Sequence, residues 1–85
     1  MVSETLSKMI EQFALRISAE EMQRYYAGAA RVVIVRAESG RRIQFSAEHL
    51  RQFVSSTGIA GWFEIEYDGK GKFIRIDCLK RFVDV

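Results

Sequence analysis

Apolar and polar residues alternate over Phe13, Leu15 and Ile17, with Ala14 and Arg16 between them, the period-two pattern of a strand with one buried face. The pattern stops at Ser18, a favourable N-cap, and Glu21 stands three positions on, so the pair predicts a capping box. Ile17 and Met22 occupy the hydrophobic-staple positions. Met22, Tyr25, Tyr26 and Ala29 then fall on one helical face, and Gly28 suits a left-handed helix end. A helix from about Ala19 to Ala27 is expected.

The same series recurs. Arg16-Ile-Ser-Ala-Glu-Glu-Met-Gln-Arg-Tyr-Tyr26 is echoed by Gln44-Phe-Ser-Ala-Glu-His-Leu-Arg-Gln-Phe-Val54. Ile43 and Phe45 are the inward strand residues of the second copy, Ser46 its N-cap, and Leu50, Phe53 and Val54 its apolar stripe, predicting a second helix from about Ala47 to Ser56. His49 stands where the first copy has its box glutamate. Each helix is followed by a strand, Val32 to Ala37 and Trp62 to Tyr67, and Ser39-Gly40 reads as a tight hairpin between the halves. Asp68-Gly69-Lys70-Gly71 turns the chain into a last strand, Phe73 to Leu79. Pairing Ile65 with Ile74 and Phe63 with Ile76 sets Glu64 opposite Arg75; a shift of two would set Glu64 against Asp77, which like-charge repulsion disfavours.

The order strand-helix-strand, used twice and followed by one more strand, predicts an α+β domain over residues 13–85. Its expected form is a ferredoxin-like βαββαβ pseudo-repeat: an antiparallel sheet, two helices on one face and an extra C-terminal strand at the edge. A different antiparallel α+β order is the alternative. Residues 1–12 lie outside the repeat; Leu6, Met9, Ile10 and Phe13 form a helical stripe, and the segment reads as a short helix or a frayed tail.

Composition narrows the class. A chain of 85 residues buries only about 60–65% of the surface its unfolded form exposes, so its core is small. Nearly half the residues are hydrophobic and about a quarter charged, the profile of a globular chain. A net charge of +2 is too small to argue for nucleic acid by itself. One cysteine, Cys78, forms no internal disulfide, and the N-terminus lacks a signal-peptide pattern, so a reduced, cytoplasmic protein is expected. No apolar run approaches the roughly 20 residues that span a bilayer.

Ile17-Ser-Ala-Glu-Glu21, Tyr25-Tyr-Ala-Gly28, Gly40-Arg-Arg-Ile-Gln-Phe45, Ala47-Glu-His-Leu-Arg51, Phe53-Val54 and Gly58-Ile-Ala-Gly61 occur in this order. Together they resemble a family of short bacterial proteins, mostly proteobacterial, classed as a domain of unknown function. The resemblance covers Phe13 to Ile76 and implies no activity, cofactor or catalytic residue. Ser46 and Gln52 depart from it, since proline is expected at both; serine is itself a good cap.

No catalytic or metal set assembles from the remaining residues. His49 is the lone histidine and Cys78 the lone thiol, which leaves no zinc-ligand spacing, and both read as structural, His49 near a helix start and Cys78 on a buried strand face. Gly69-Lys-Gly71 precedes a strand rather than a helix and follows an acid, so it reads as a turn and not a phosphate loop. Glu64 and Glu66 share a strand face with Arg75 nearby, an ion-pair ladder rather than an acid/base pair. No cofactor is expected and no enzyme is read.

Two features point to binding. Five arginines, at 31, 36, 41, 42 and 51, face only Glu38 and Glu48 in the segment they bound, a local charge of +3, and arginine suits bidentate contact with carboxylate or phosphate. Outward aromatics for stacking bases are missing from the central strands, where Ala14, Arg16, Arg42 and Gln44 would point out. With Val32 and Ile34 directed inward alongside Phe45, Val33 and Val35 would point outward, as would Trp62 and Phe73. These apolar residues, with Arg36, Arg41, Arg42 and Arg51 at the margin, form the candidate binding set. A protein partner or a second copy of the chain is the expected ligand and nucleic acid the alternative. The N-terminal stripe folding back over this face, or the opposite strand parity, would explain the same residues without a partner.

Overall fold

The computed structural model describes residues 8–26 and 31–82. Its elements are β1 (Met9–Ser18), α1 (Ala19–Tyr26), β2 (Val32–Arg36), β3 (Arg42–Ser46), a 3₁₀ helix η1 (Ala47–Phe53), β4 (Gly58–Tyr67) and β5 (Phe73–Arg81). No helix among the described residues is long and apolar enough to cross a membrane. The chain is mixed α+β with antiparallel sheets, but its strands form two groups: a three-stranded sheet ordered β1-β4-β5 and a two-stranded sheet β2-β3. The ferredoxin-like arrangement places the third strand beside the first; among the described residues β3 pairs only with β2. β5 does add to the edge at β4.

The strand start near Phe13 extends back to Met9, so Met9 to Gln12 are β-structure rather than the expected helical stripe; Leu6 lies outside the described residues. Met9↔Tyr67 through Ser18↔Gly58 form one uninterrupted antiparallel ladder. Inward residues Phe13, Leu15, Phe63, Ile65 and Ile76 meet Val33, Val35, Ile43 and Phe45 of the hairpin to form the core. Phe13 is its hinge point, with ring centroids 5.8 Å from Phe45 and 5.9 Å from Phe63.

The α1 capping box forms as read. Ser18 N–H donates to Glu21 Oε1 at 3.1 Å, and Glu21 N–H donates to Ser18 Oγ at 3.1 Å, satisfying two amides that the first helical turn leaves free. Met22 is buried and Tyr25 half-buried beneath this helix; Gly28 and Ala29 lie outside the described residues. The second helix is shorter and tighter than the α-helix expected from Ala47 to Ser56. Its buried side chains fall at Ala47, Leu50 and, in part, Phe53, a period of three that matches the 3₁₀ repeat. Ser46 Oγ accepts the Glu48 N–H at 3.4 Å, and no glutamate at position 49 returns the bond.

Two register corrections follow, the first from the β2-β3 turn and the second from a register shift between Glu66 and Tyr67 in β4. The β2-β3 hairpin closes through Ala37 N–H to Arg41 O and Gly40 N–H to Ala37 O, each 2.8 Å, leaving a three-residue loop, Glu38-Ser39-Gly40, with Gly40 at φ 95°. A two-residue Ser39-Gly40 loop would pair Ile34 with Phe45; the longer loop pairs Val33 with Phe45 and Val35 with Ile43. A slip of one residue exchanges the faces of β2. Val33 and Val35 are therefore core, 4% and 9% exposed, while Val32 and Ile34 are 45% and 51% exposed. In β4-β5, Ile65 pairs with Ile76 and Glu64 with Asp77, the register that like charge argued against.

Candidate functional site

The candidate residues divide among three surfaces. On the outer face of β2-β3, Val32, Ile34 and Arg36 lie across from Ser46, Gln44 and Arg42. Arg36 and Arg42 are thus directly opposed, an unfavourable pairing for like charges. The Arg36 guanidinium donates to Gly40 O at 2.9 Å. Among the described residues neither arginine has a carboxylate within ion-pair distance.

Arg41 turns the other way, toward the end of the core. It donates to Tyr67 Oη at 3.3 Å and stands 4.0 Å from Glu11 Oε2. Glu11 is buried yet accepts the Ser39 hydroxyl at 2.6 Å, and Glu38 N–H donates to Gln12 O at 2.8 Å. A buried carboxylate needs such partners, and here they pin the hairpin loop to β1. A cleft of about 310 Å³ opens beside this point, lined by Arg41, Arg42, Gln44, Phe45, Ile65, Tyr67 and Phe73 among others. Arg31 and Arg51 lie at the far end of the hairpin, where both border a hollow beside Met22 and Tyr25 of α1.

Trp62 is on the third surface, the outer face of β1-β4-β5, and is only half-exposed. Its Nε1–H donates to Gln12 Oε1 at 3.1 Å, and Gln12 Nε2–H donates to Glu64 Oε1 at 2.9 Å. Arg75 extends the chain of contacts to Glu64 at 3.0 Å, to Glu66 at 2.7 Å and to Asp77. Arg75 holds the Glu64 carboxyl below the usual range, with help from Gln12, and Glu64, then Glu66, raises the Arg75 guanidinium in turn. The ladder expected at Glu64 and Glu66 is thus present, with Asp77 joined to it. Phe73 is half-buried, its ring stacked on His49 at 3.7 Å between centroids and 9° between planes.

The arrangement therefore separates what the sequence pattern put on one face. Trp62 lies on the other sheet from Arg36 and Arg42, Phe73 meets Arg42 only across the cleft, and Val33 and Val35 are interior. Val32 and Ile34 take their place; the missed signal was the third loop residue, Glu38, which changes the parity of β2. Cys78 is half-buried beside Phe63 and Gly61. Gly69-Lys70-Gly71 is a turn organised by Asp68, whose Oδ1 accepts the N–H groups of Lys70 and Lys72 at 2.8 and 2.9 Å. Among the described residues no group of three His, Cys, Asp or Glu side chains is placed to hold a metal ion.

A family model described as "protein of unknown function (DUF2835)" matches residues 10–79, from the second residue of β1 to Leu79 in β5. The chain belongs to the DUF2835 family. The match runs through both sheets, the pinned hairpin loop and the opposed arginines, so all three surfaces fall within the DUF2835 region. No curated protein and no solved structure matches the chain.

Proposed function

We propose that the chain is a non-enzymatic binding module and that the outer face of β2-β3 docks against a protein partner bearing carboxylates around an apolar patch. The observation that carries this reading is the opposed pair Arg36 and Arg42 beside exposed Ile34 and Val32. Two guanidiniums held together with no acid beside them among the described residues are relieved when a partner supplies one, and bidentate arginine–carboxylate contacts are both strong and orienting. The adjoining aliphatic side chains supply area that gains from leaving water.

Nucleic acid is the second reading, favoured by the arginines themselves. The outer hairpin face carries no aromatic side chain on which a base would stack, which supports protein over single-stranded RNA.

Affinity capture of the tagged full chain, with and without nuclease and over a range of salt, distinguishes them. A nuclease-resistant protein partner, lost with Ile34→Glu and retained with Trp62→Ala, supports the docking face. Partners that vanish on nuclease treatment, with affinity falling steeply with salt, support nucleic acid instead. Partner recovery unchanged by Ile34→Glu and by Arg36→Ala with Arg42→Ala refutes the proposed face.

A further inference from the structure

The hydrogen-bond phase of the hairpin shows which backbone groups are spare. Ala37 N–H bonds Arg41 O, and Ala47 N–H bonds Arg31 O at 2.9 Å. Residues of an antiparallel pair alternate between bonding inward and outward, so Ile43 and Phe45 direct their backbone groups to β2. Arg42 and Gln44 therefore direct theirs to the opposite edge of β3. That edge has no strand beside it among the described residues. It forms one wall of the 310 Å³ cleft, whose lining includes both Arg42 and Gln44, with Phe45, Ile65 and Phe73 also bordering it. Arg41 and Arg42 supply the charge at its rim, and no lining residue is acidic.

We infer that this cleft receives an extended, acidic peptide segment of a partner protein, which adds to β3 as a further strand. The inference deepens the preceding reading and rests on the partner being a protein. Arg42 and Gln44 each offer one N–H and one C=O, a main-chain ladder that needs no particular sequence. Specificity comes from alternation: side chains on one face of the incoming strand meet Phe45, Ile65 and Phe73, and acidic residues meet Arg41 and Arg42. A second copy of β3 is disfavoured as the occupant, because it would bring its own Arg42 into an already basic cleft.

The test is selection of random peptides of about 12 residues, displayed on phage, against the full chain, followed by amide NMR of the labelled chain with a synthetic enriched peptide. The expected peptides alternate acidic and apolar residues, and the amides of Arg42 and Gln44 shift and become protected from exchange. Gln44→Pro removes a donor that the β2-β3 ladder does not use and should weaken binding at least about tenfold, while Gln44→Ala, which keeps the N–H, binds within about twofold. Should Gln44→Pro fail to give the dispersed spectrum of a folded chain, Arg42→Ala replaces it, with weaker binding and a smaller salt slope expected. Ile34→Glu should leave peptide affinity unchanged. Absence of enrichment overturns the inference, as does a dimer that protects the Arg42 and Gln44 amides without peptide. Peptides that bind Gln44→Pro normally and lose affinity with Ile34→Glu overturn the edge-strand mode alone and leave the outer-face reading standing.

Discussion

Glu64 and Asp77 face each other across the β4-β5 ladder, and Arg75 binds both. The register that pure pairwise repulsion disfavours is realised because the cation sits two pairs along on the same face, where a single guanidinium also reaches Glu66. It also puts Ile65 beside Ile76, both buried. Hydrophobic pairing and a shared cation outweigh one like-charge pair.

Replacing Arg75 with Met should therefore lower the thermal midpoint at neutral pH and leave three carboxylates without their common partner. The pH dependence has a definite sign. Glu64 has a depressed folded pKa, so its contribution is present above its ordinary value near 4.5 and is lost as pH falls through the lower folded value. The gap between wild type and Arg75→Met should narrow from pH 7 to about pH 3, because protonation removes both the attraction and the repulsion. Circular dichroism melts at the two pH values decide this; a gap that widens on acidification refutes it.

The turn at Asp68 behaves in the same direction by a different cause. The Lys72 backbone N–H, then that of Lys70, depresses its carboxyl, so Asp68→Ala should lower the midpoint at pH 7 and Asp68→Asn should do so less, since an amide oxygen still accepts. The difference between Asp68→Ala and wild type should shrink below the usual carboxylate range, as read from melts across that range.

The hairpin loop length predicts a contrast between neighbours. Val35→Ala empties part of the core and should cost roughly 2 kcal/mol, whereas Ile34→Ala should change stability by less than about 0.5 kcal/mol. Urea unfolding of the two variants checks the assignment, and reversed magnitudes would restore the two-residue loop.

Gly58 should tolerate no side chain. Its φ is +110°, and an added Cβ would lie 2.1 Å from Ile17 O and 2.7 Å from Ala19 N, backbone atoms that cannot rotate away. Gly58→Ala combines that clash with left-handed strain of about 1–3 kcal/mol, so a loss of at least about 3 kcal/mol is expected by urea titration. Gly40→Ala meets nothing within 4 Å and should cost less.

Local grammar was readable in the sequence; long-range geometry was not. Ser18 and Glu21 announce their capping box because both partners lie within one turn, and the alternation through Phe13, Leu15 and Ile17 is visible for the same reason. The faces of β2 depended on whether Glu38 belongs to the strand or to the loop, a choice that the loop's bonds to Gln12 and Glu11 help settle. Ala47, Leu50 and Phe53 did carry the period of three, but a stripe including Phe53 and Val54 concealed it. Of the candidate site, Arg36, Arg41, Arg42 and Arg51 are exposed as read, while Val33 and Val35 exchanged places with Val32 and Ile34. Trp62 was separated from the arginines because the strands divide into two sheets, which no local pattern records.

The β1-β4 ladder joins residues distant along the chain, Phe13 to Phe63 at its centre, whereas β2-β3 and β4-β5 are local hairpins. Hairpins close in about 1–10 μs, but a long-range ladder must first overcome the entropy of a large loop. Folding should accordingly wait on the docking of β1 to a preformed β4-β5 hairpin, and a nascent chain would hold its first strand unpaired until β4 had been synthesised.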